Sequence, residues 1–91
     1  MGVGRALVHA HVPPMHELSL MSDLVSAVGE RVGGARVLAV RLEVGRMAGV
    51  LPDALRFCFE VAAQGSSLEG AALDIEEIDG PALRIREVEV I

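Results

Sequence analysis

The sequence predicts an α/β domain of the two-layer α+β kind, with two helices packed on a three-stranded mixed sheet in the order α-β-α-β-β. Three observations lead there. Apolar residues recur at helical spacing in two stretches, around residues 18–32 and 54–62. They alternate with charged residues in others, around 36–44 and 71–78. Glycine, proline or an Asp-Gly pair separates the stretches, and 91 residues suit a single domain.

Residues 1–14 end in Pro13-Pro14, which interrupts regular structure and favours an extended tail or an edge-pairing extension. The first helix follows. Leu18, Met21, Val25, Val28 and Val32 are spaced 3, 4, 3 and 4 apart and form one stripe. Gly33-Gly34 ends it, because glycine accepts the left-handed conformation of a helix terminus. The first strand spans 36–44, with Leu38, Val40, Leu42 and Val44 on one face and Arg41 and Glu43 on the other. Pro52 opens the second helix and Asp53 suits the positive end of its dipole. Its stripe is Leu55, Cys58, Phe59 and Ala62, widened by Ala54, Phe57 and Val61, which predicts cover on more than one side. Gly65-Ser66-Ser67 ends it. The second strand, 71–78, turns Leu73 and Ile75 inward and Asp74 and Glu76 outward. Asp79-Gly80 is a turn signal, and residues 82–91 make a third strand. The apolar phase of that strand shifts between Ile85 and Val88, which predicts a bulge, and Arg84 and Arg86 are placed to pair with the acidic side of strand two.

Composition excludes several function classes. The net charge is −5, and the eight basic residues are all arginines scattered along the chain, so the clustered cations of a nucleic-acid binder are missing. With Phe57 and Phe59 the only aromatics, there is no base-stacking platform either. A single cysteine makes no internal disulfide and no thiolate zinc site, and it predicts a reducing, cytoplasmic setting. No apolar run approaches the roughly 18 residues that span a bilayer, so no membrane is expected. His9 and His11 interrupt Ala6-Leu7-Val8 before it becomes a signal-peptide core.

Met15-His16-Glu17 is the constellation with the most chemistry in it. At a chain start on Met15, the free amine, the deprotonated amide of His16, its imidazole and the amide of Glu17 form contiguous chelate rings. Four nitrogens in a plane suit Ni(II) or Cu(II), and Glu17 can instead add a carboxylate to a higher-coordinate form. With fourteen residues ahead of Met15 the amine is an amide, and His16 then reads as an ordinary helix-entry residue. His9 and His11 form a second candidate, since residues two apart in an extended segment point the same way; the plain alternative is a polar tail. Cys58 lies on the apolar stripe between two phenylalanines, with no base nearby in sequence, and reads as buried. Asp74, Glu76 and Glu77 form an acidic cluster that solvated ion pairing with arginine accounts for. Gly45-x₃-Gly49 lacks the Lys-Ser/Thr of a phosphate loop. Nothing assembles an acid, a base and an oxyanion donor, so no enzyme is expected.

Taken together, several segments resemble the HypA/HybF family of hydrogenase and urease nickel-incorporation metallochaperones. These are Met15-His16-Glu17-Leu18-Ser19-Leu20, Arg41-Leu42-Glu43-Val44-Gly45, Leu51-Pro52-Asp53-Ala54-Leu55-Arg56-Phe57-Cys58-Phe59-Glu60, Leu73-Asp74-Ile75-Glu76 and Leu83-Arg84-Ile85-Arg86-Glu87-Val88-Glu89-Val90. The resemblance implies a metallochaperone that carries Ni(II) for [NiFe] hydrogenase maturation, with metal ligands at Met15, His16 and Glu17 and His16 the essential side chain. It also implies handover to a nickel-pathway GTPase and to the hydrogenase large subunit. Family members carry a zinc domain with two Cys-x-x-Cys pairs between strands two and three. No such pair occurs here, so zinc is not expected and residues 15–91 read as the nickel-binding-type domain with a turn near 79–81 in place of the insertion. A tight turn would suit strands two and three as antiparallel neighbours. A chain with this core but no metal would instead serve as an interaction or dimerisation module. It would form a homo-oligomer by edge-strand pairing or swapping through strand three or residues 1–14.

Overall fold

The computed structural model describes residues 13–91, with side chains from His16 onward. Helix α1 spans Pro13–Arg31, strand β1 Val37–Gly45, helix α2 Pro52–Ala63, strand β2 Ala72–Ile78 and strand β3 Leu83–Val90, which is the expected element order. Helix α1 starts earlier than the sequence reading has it. Pro13 and Pro14 lie within its first turn instead of blocking it. The first-turn N–H groups of a helix have no partner inside the helix, so two residues that lack an N–H are tolerated there. His9 and His11 lie outside the described residues.

The sheet has the order β2-β1-β3, with β1 parallel to β2 and antiparallel to β3. Strands two and three are therefore not neighbours, contrary to the expectation drawn from the Asp79-Gly80 turn signal. β1 separates them. Its Val40, Leu42 and Val44 are buried, and so is Ala39, which is what a strand flanked on both sides requires. β2 and β3 each carry a charged, solvated face that suits an outer position. Residues 79–82 bridge two strand spacings, roughly 10 Å, by passing over the end of β1. The bridge is held by β1 and the residues after it. The N–H of Gly45 donates to the Ala82 carbonyl (2.6 Å), that of Arg46 to Ile78 (2.9 Å) and that of Met47 to Gly80 (3.0 Å).

The core lies between the sheet and the helices. Met21, Leu24, Val25 and Val28 come from α1, Leu55, Phe59 and Ala63 from α2, and Leu68 from the loop after α2. Two features shift the strand phases. The β1/β3 register slips between Val37 and Ala39, so Val37 enters the core while Leu38 is 45% exposed. Leu38 thus leaves the inward set that alternation assigns it. A second slip pairs Arg41 with Glu87 but Leu42 with Ile85, leaving Arg86 as the extra residue. That is the bulge expected between Ile85 and Val88, and it turns Arg86 and Glu87 to the same outer face. Helix α2 is covered on one side only. Phe57 is 66% exposed and Val61 is exposed as well, because α1 and the sheet meet the arc of Leu55, Phe59 and Ala63. Cys58 is half-buried, not fully enclosed.

Candidate metal centre

The Met15-His16-Glu17 segment sits in the first turn and a half of α1. His16 is exposed to solvent. Its neighbour is the opposite. Glu17 is 2% exposed and is the one buried charged residue among those described. Residues 17, 21, 24 and 28 are spaced 4, 3 and 4 apart, so Glu17 continues the buried stripe of α1 by one turn.

The Glu17 carboxylate is satisfied by the neighbouring helix. Its Oε2 accepts a hydrogen bond from the N–H of Leu51 at 2.9 Å. Leu51 is the N-cap of α2, with φ −102° and ψ 123°, and as a leucine it supplies no side-chain cap of its own. The first N–H groups of a helix need acceptors, and its N-terminus carries partial positive charge. Glu17 meets both needs from another element. The bond joins the start of α1 to the start of α2 across 34 positions of sequence. Sequence reading missed Leu51 as a partner. The signal available was the phase of Met21, Leu24 and Val28, which points back to Glu17, not Leu18, as the inward residue.

Of the expected ligands, then, His16 offers an imidazole to solvent, whereas the side chain of Glu17 is committed to Leu51. Among the described residues no group of three or more His, Cys, Asp or Glu side chains gathers to hold a metal ion.

Asp74 and Glu76 of the acidic cluster on β2 lie on the outer face of the sheet and are ion-paired, whereas Glu77 lies on the other face with Ile75 near the start of α2. Arg86 meets Glu76 at 3.0 Å across the central strand, Arg84 meets Glu43 at 2.7 Å, and Arg41 gathers Asp74, Glu87 and Glu89. Arg46 holds Asp79 and Glu77 beside the crossing bridge. Gly45, first seen as one end of a glycine pair, is where the bridge passes closest to β1.

Comparison with known proteins places these observations. Residues 15–86 match the family model described as hydrogenase/urease nickel incorporation, metallochaperone, hypA. The chain is 47% identical over 68 residues to the hydrogenase maturation factor HypA of Trichormus variabilis, covering 75% of this chain and 60% of the relative. It is 48% identical over 66 residues to that of Geobacter metallireducens, covering 72% and 60%. The chain thus spans about 60% of the length of these relatives. The fold is similar to the solution structure of the Ni metallochaperone HypA from Helicobacter pylori, with TM-score 0.68 and 16% identity over 82% of this chain and 97% of the other.

Proposed function

Since the chain belongs to the HypA family, we propose that it is a nickel-binding metallochaperone without enzymatic activity. It takes up Ni(II) through the main-chain nitrogens of Met15, His16 and Glu17 together with the imidazole of His16. It passes the ion to a nickel-pathway GTPase and the large subunit of [NiFe] hydrogenase, in the cytoplasm. The observation that carries this reading is the solvent-exposed imidazole of His16 at the start of the family match. Nitrogen donors in a plane suit Ni(II), and an open site with one side-chain ligand suits an ion that must be released. Residues 15–91 form the nickel-binding-type domain, residues 1–14 an extension. The bridge at 79–82 stands where the family's zinc insertion would be, and the sequence lacks the Cys-x-x-Cys pairs that would hold zinc. No helix among the described residues is long and apolar enough to cross a membrane.

Isothermal titration of Ni(II) into the 1–91 and 15–91 chains, each beside His16→Ala, tests the reading. Loss of binding in the variant supports it. Equal binding by wild type and variant at both lengths overturns the site. A second reading is favoured by the sheet, in which β2 and β3 each pair with β1 alone among the described residues. The chain would then be a metal-free module that assembles by edge pairing. Light scattering that finds only monomers at both lengths counts against it.

A further inference from the structure

The buried carboxylate of Glu17 is a costly feature for a chain to carry. A charged group removed from water must recover its solvation through hydrogen bonds or an opposing charge. Here the recovery comes from the N–H of Leu51 at 2.9 Å and the positive end of α2. The same residue lies in the segment to which the nickel site is assigned. The two roles conflict in space.

In α1, the N–H of Glu17 falls within the helical hydrogen-bond ladder, four residues after Pro13, and that of His16 lies in the turn before it. A nitrogen that binds metal as a deprotonated amide has lost the proton that made its hydrogen bond. Coordination through the amides of His16 and Glu17 therefore opens the first turn of α1 and moves the Cα of Glu17. The carboxylate cannot then keep its place against Leu51. An arriving dication is also unfavourable at the positive end of an intact helix, so opening the turn removes an electrostatic obstacle.

We infer that the Glu17 carboxylate is a latch and not a ligand: bound to the Leu51 N–H it holds the first turn of α1 closed against α2, and nickel capture at His16 and the main-chain amides releases it. The inference rests on the nickel reading given above. Linkage fixes the signs. Nickel binds the open state, the hydrogen bond stabilises the closed state, so each weakens the other. Removing the carboxylate must tighten nickel binding, whereas removing a ligand would weaken it. Release of the latch also uncaps α2 and couples nickel occupancy to the loop at residues 46–51, which a partner can sense.

The test uses the 1–91 and 15–91 chains with nickel sulfate as the probe. Hydrogen exchange of the Leu51 amide is read by mass spectrometry on a peptide spanning it. Nickel saturation is expected to speed exchange roughly tenfold in wild type, the loss of one charge-assisted hydrogen bond, and to leave His16→Ala unchanged. In calorimetry Glu17→Ala binds Ni(II) up to roughly tenfold more tightly than wild type, an amount equal to the same bond. Glu17→Gln, which keeps the volume and a weaker acceptor, lies between them and guards against loss of folding in the alanine variant. Nickel binding with unchanged Leu51 exchange overturns the latch, as does weaker binding by Glu17→Ala and Glu17→Gln. No heat of nickel binding in wild type at either length overturns the nickel reading itself, and the latch with it.

Discussion

Gly45 and Gly80 meet where the β2–β3 bridge crosses the end of β1, so closely that a Cβ on Gly45 would stand 2.0 Å from the carbonyl oxygen of Gly80. Its next neighbours would be the carbonyl carbon of Gly80 at 2.7 Å and the nitrogen of Ala82 at 2.9 Å. All are main-chain atoms, and the Gly45 N–H is itself bonded to Ala82 at 2.6 Å. No rotamer change can relieve the clash. Gly45→Ala is expected to cost about 2–3 kcal/mol, a fall in melting temperature of roughly 10 °C or more for a chain of this size. Thermal unfolding followed by circular dichroism checks it. An unchanged midpoint would mean that the bridge shifts freely over β1.

That crossing shows where local sequence stops informing topology. Asp79-Gly80 signals a turn and a turn is there, with Gly80 at φ 92°. A turn signal does not say whether the joined strands are neighbours. The pairing is decided by β1, whose residues Val37, Ala39, Val40, Leu42 and Val44 are all buried and need a partner on each side. The bulge at Arg86 was legible because it breaks the alternation of β3 itself, between Ile85 and Val88. The slip at Leu38 was not, because Val37 and Leu38 are both apolar and either could face inward.

The candidate site divides in the same way. Met15-His16-Glu17 stands out in sequence by its donor atoms, and the exposure of His16 fits that reading. The fate of Glu17 depends on Leu51, a residue 34 positions away whose contribution is a main-chain N–H. Every residue type but proline offers that group, so no residue type marks it.

The loop after α2 supplies a second test of what burial is worth. Leu68 is 0% exposed and packs with Leu55 and Phe59, although it lies on no helical or strand stripe. The loop presents it through tight local bonds. Ser66 Oγ donates to the Ala63 carbonyl at 2.7 Å and accepts from the Leu68 N–H at 3.0 Å, while Ser67 accepts from Val37. Leu68→Ala leaves a cavity in a framed site and is expected to cost about 2–4 kcal/mol. Phe57→Ala removes a larger side chain from the exposed flank of α2 and is expected to cost less than about 1 kcal/mol. Urea unfolding of the two variants side by side measures both. A larger loss for Phe57→Ala would show that the flank of α2 is covered in solution.

On the outer sheet face Arg41 is the centre of a charge cluster. It lies 3.5 Å from Asp74 and 3.9 Å from Glu89, and hydrogen-bonds Glu87. These side chains are all about half exposed, so each pair is weak alone. Their arrangement matters more than their number. One guanidinium on the central strand separates carboxylates from both outer strands, and without it Asp74, Glu87 and Glu89 are left as an unbalanced acidic patch on a chain already at −5. Arg41→Gln is expected to lower stability by roughly 0.5–1 kcal/mol at low ionic strength, mostly through repulsion among those acids. At 1 M salt the screening length falls to about 3 Å, and the difference from wild type should shrink to near zero. Urea unfolding at low and high sodium chloride separates this from a packing effect, since a deficit that persists at high salt would trace to the lost aliphatic stem of Arg41 and not to its charge.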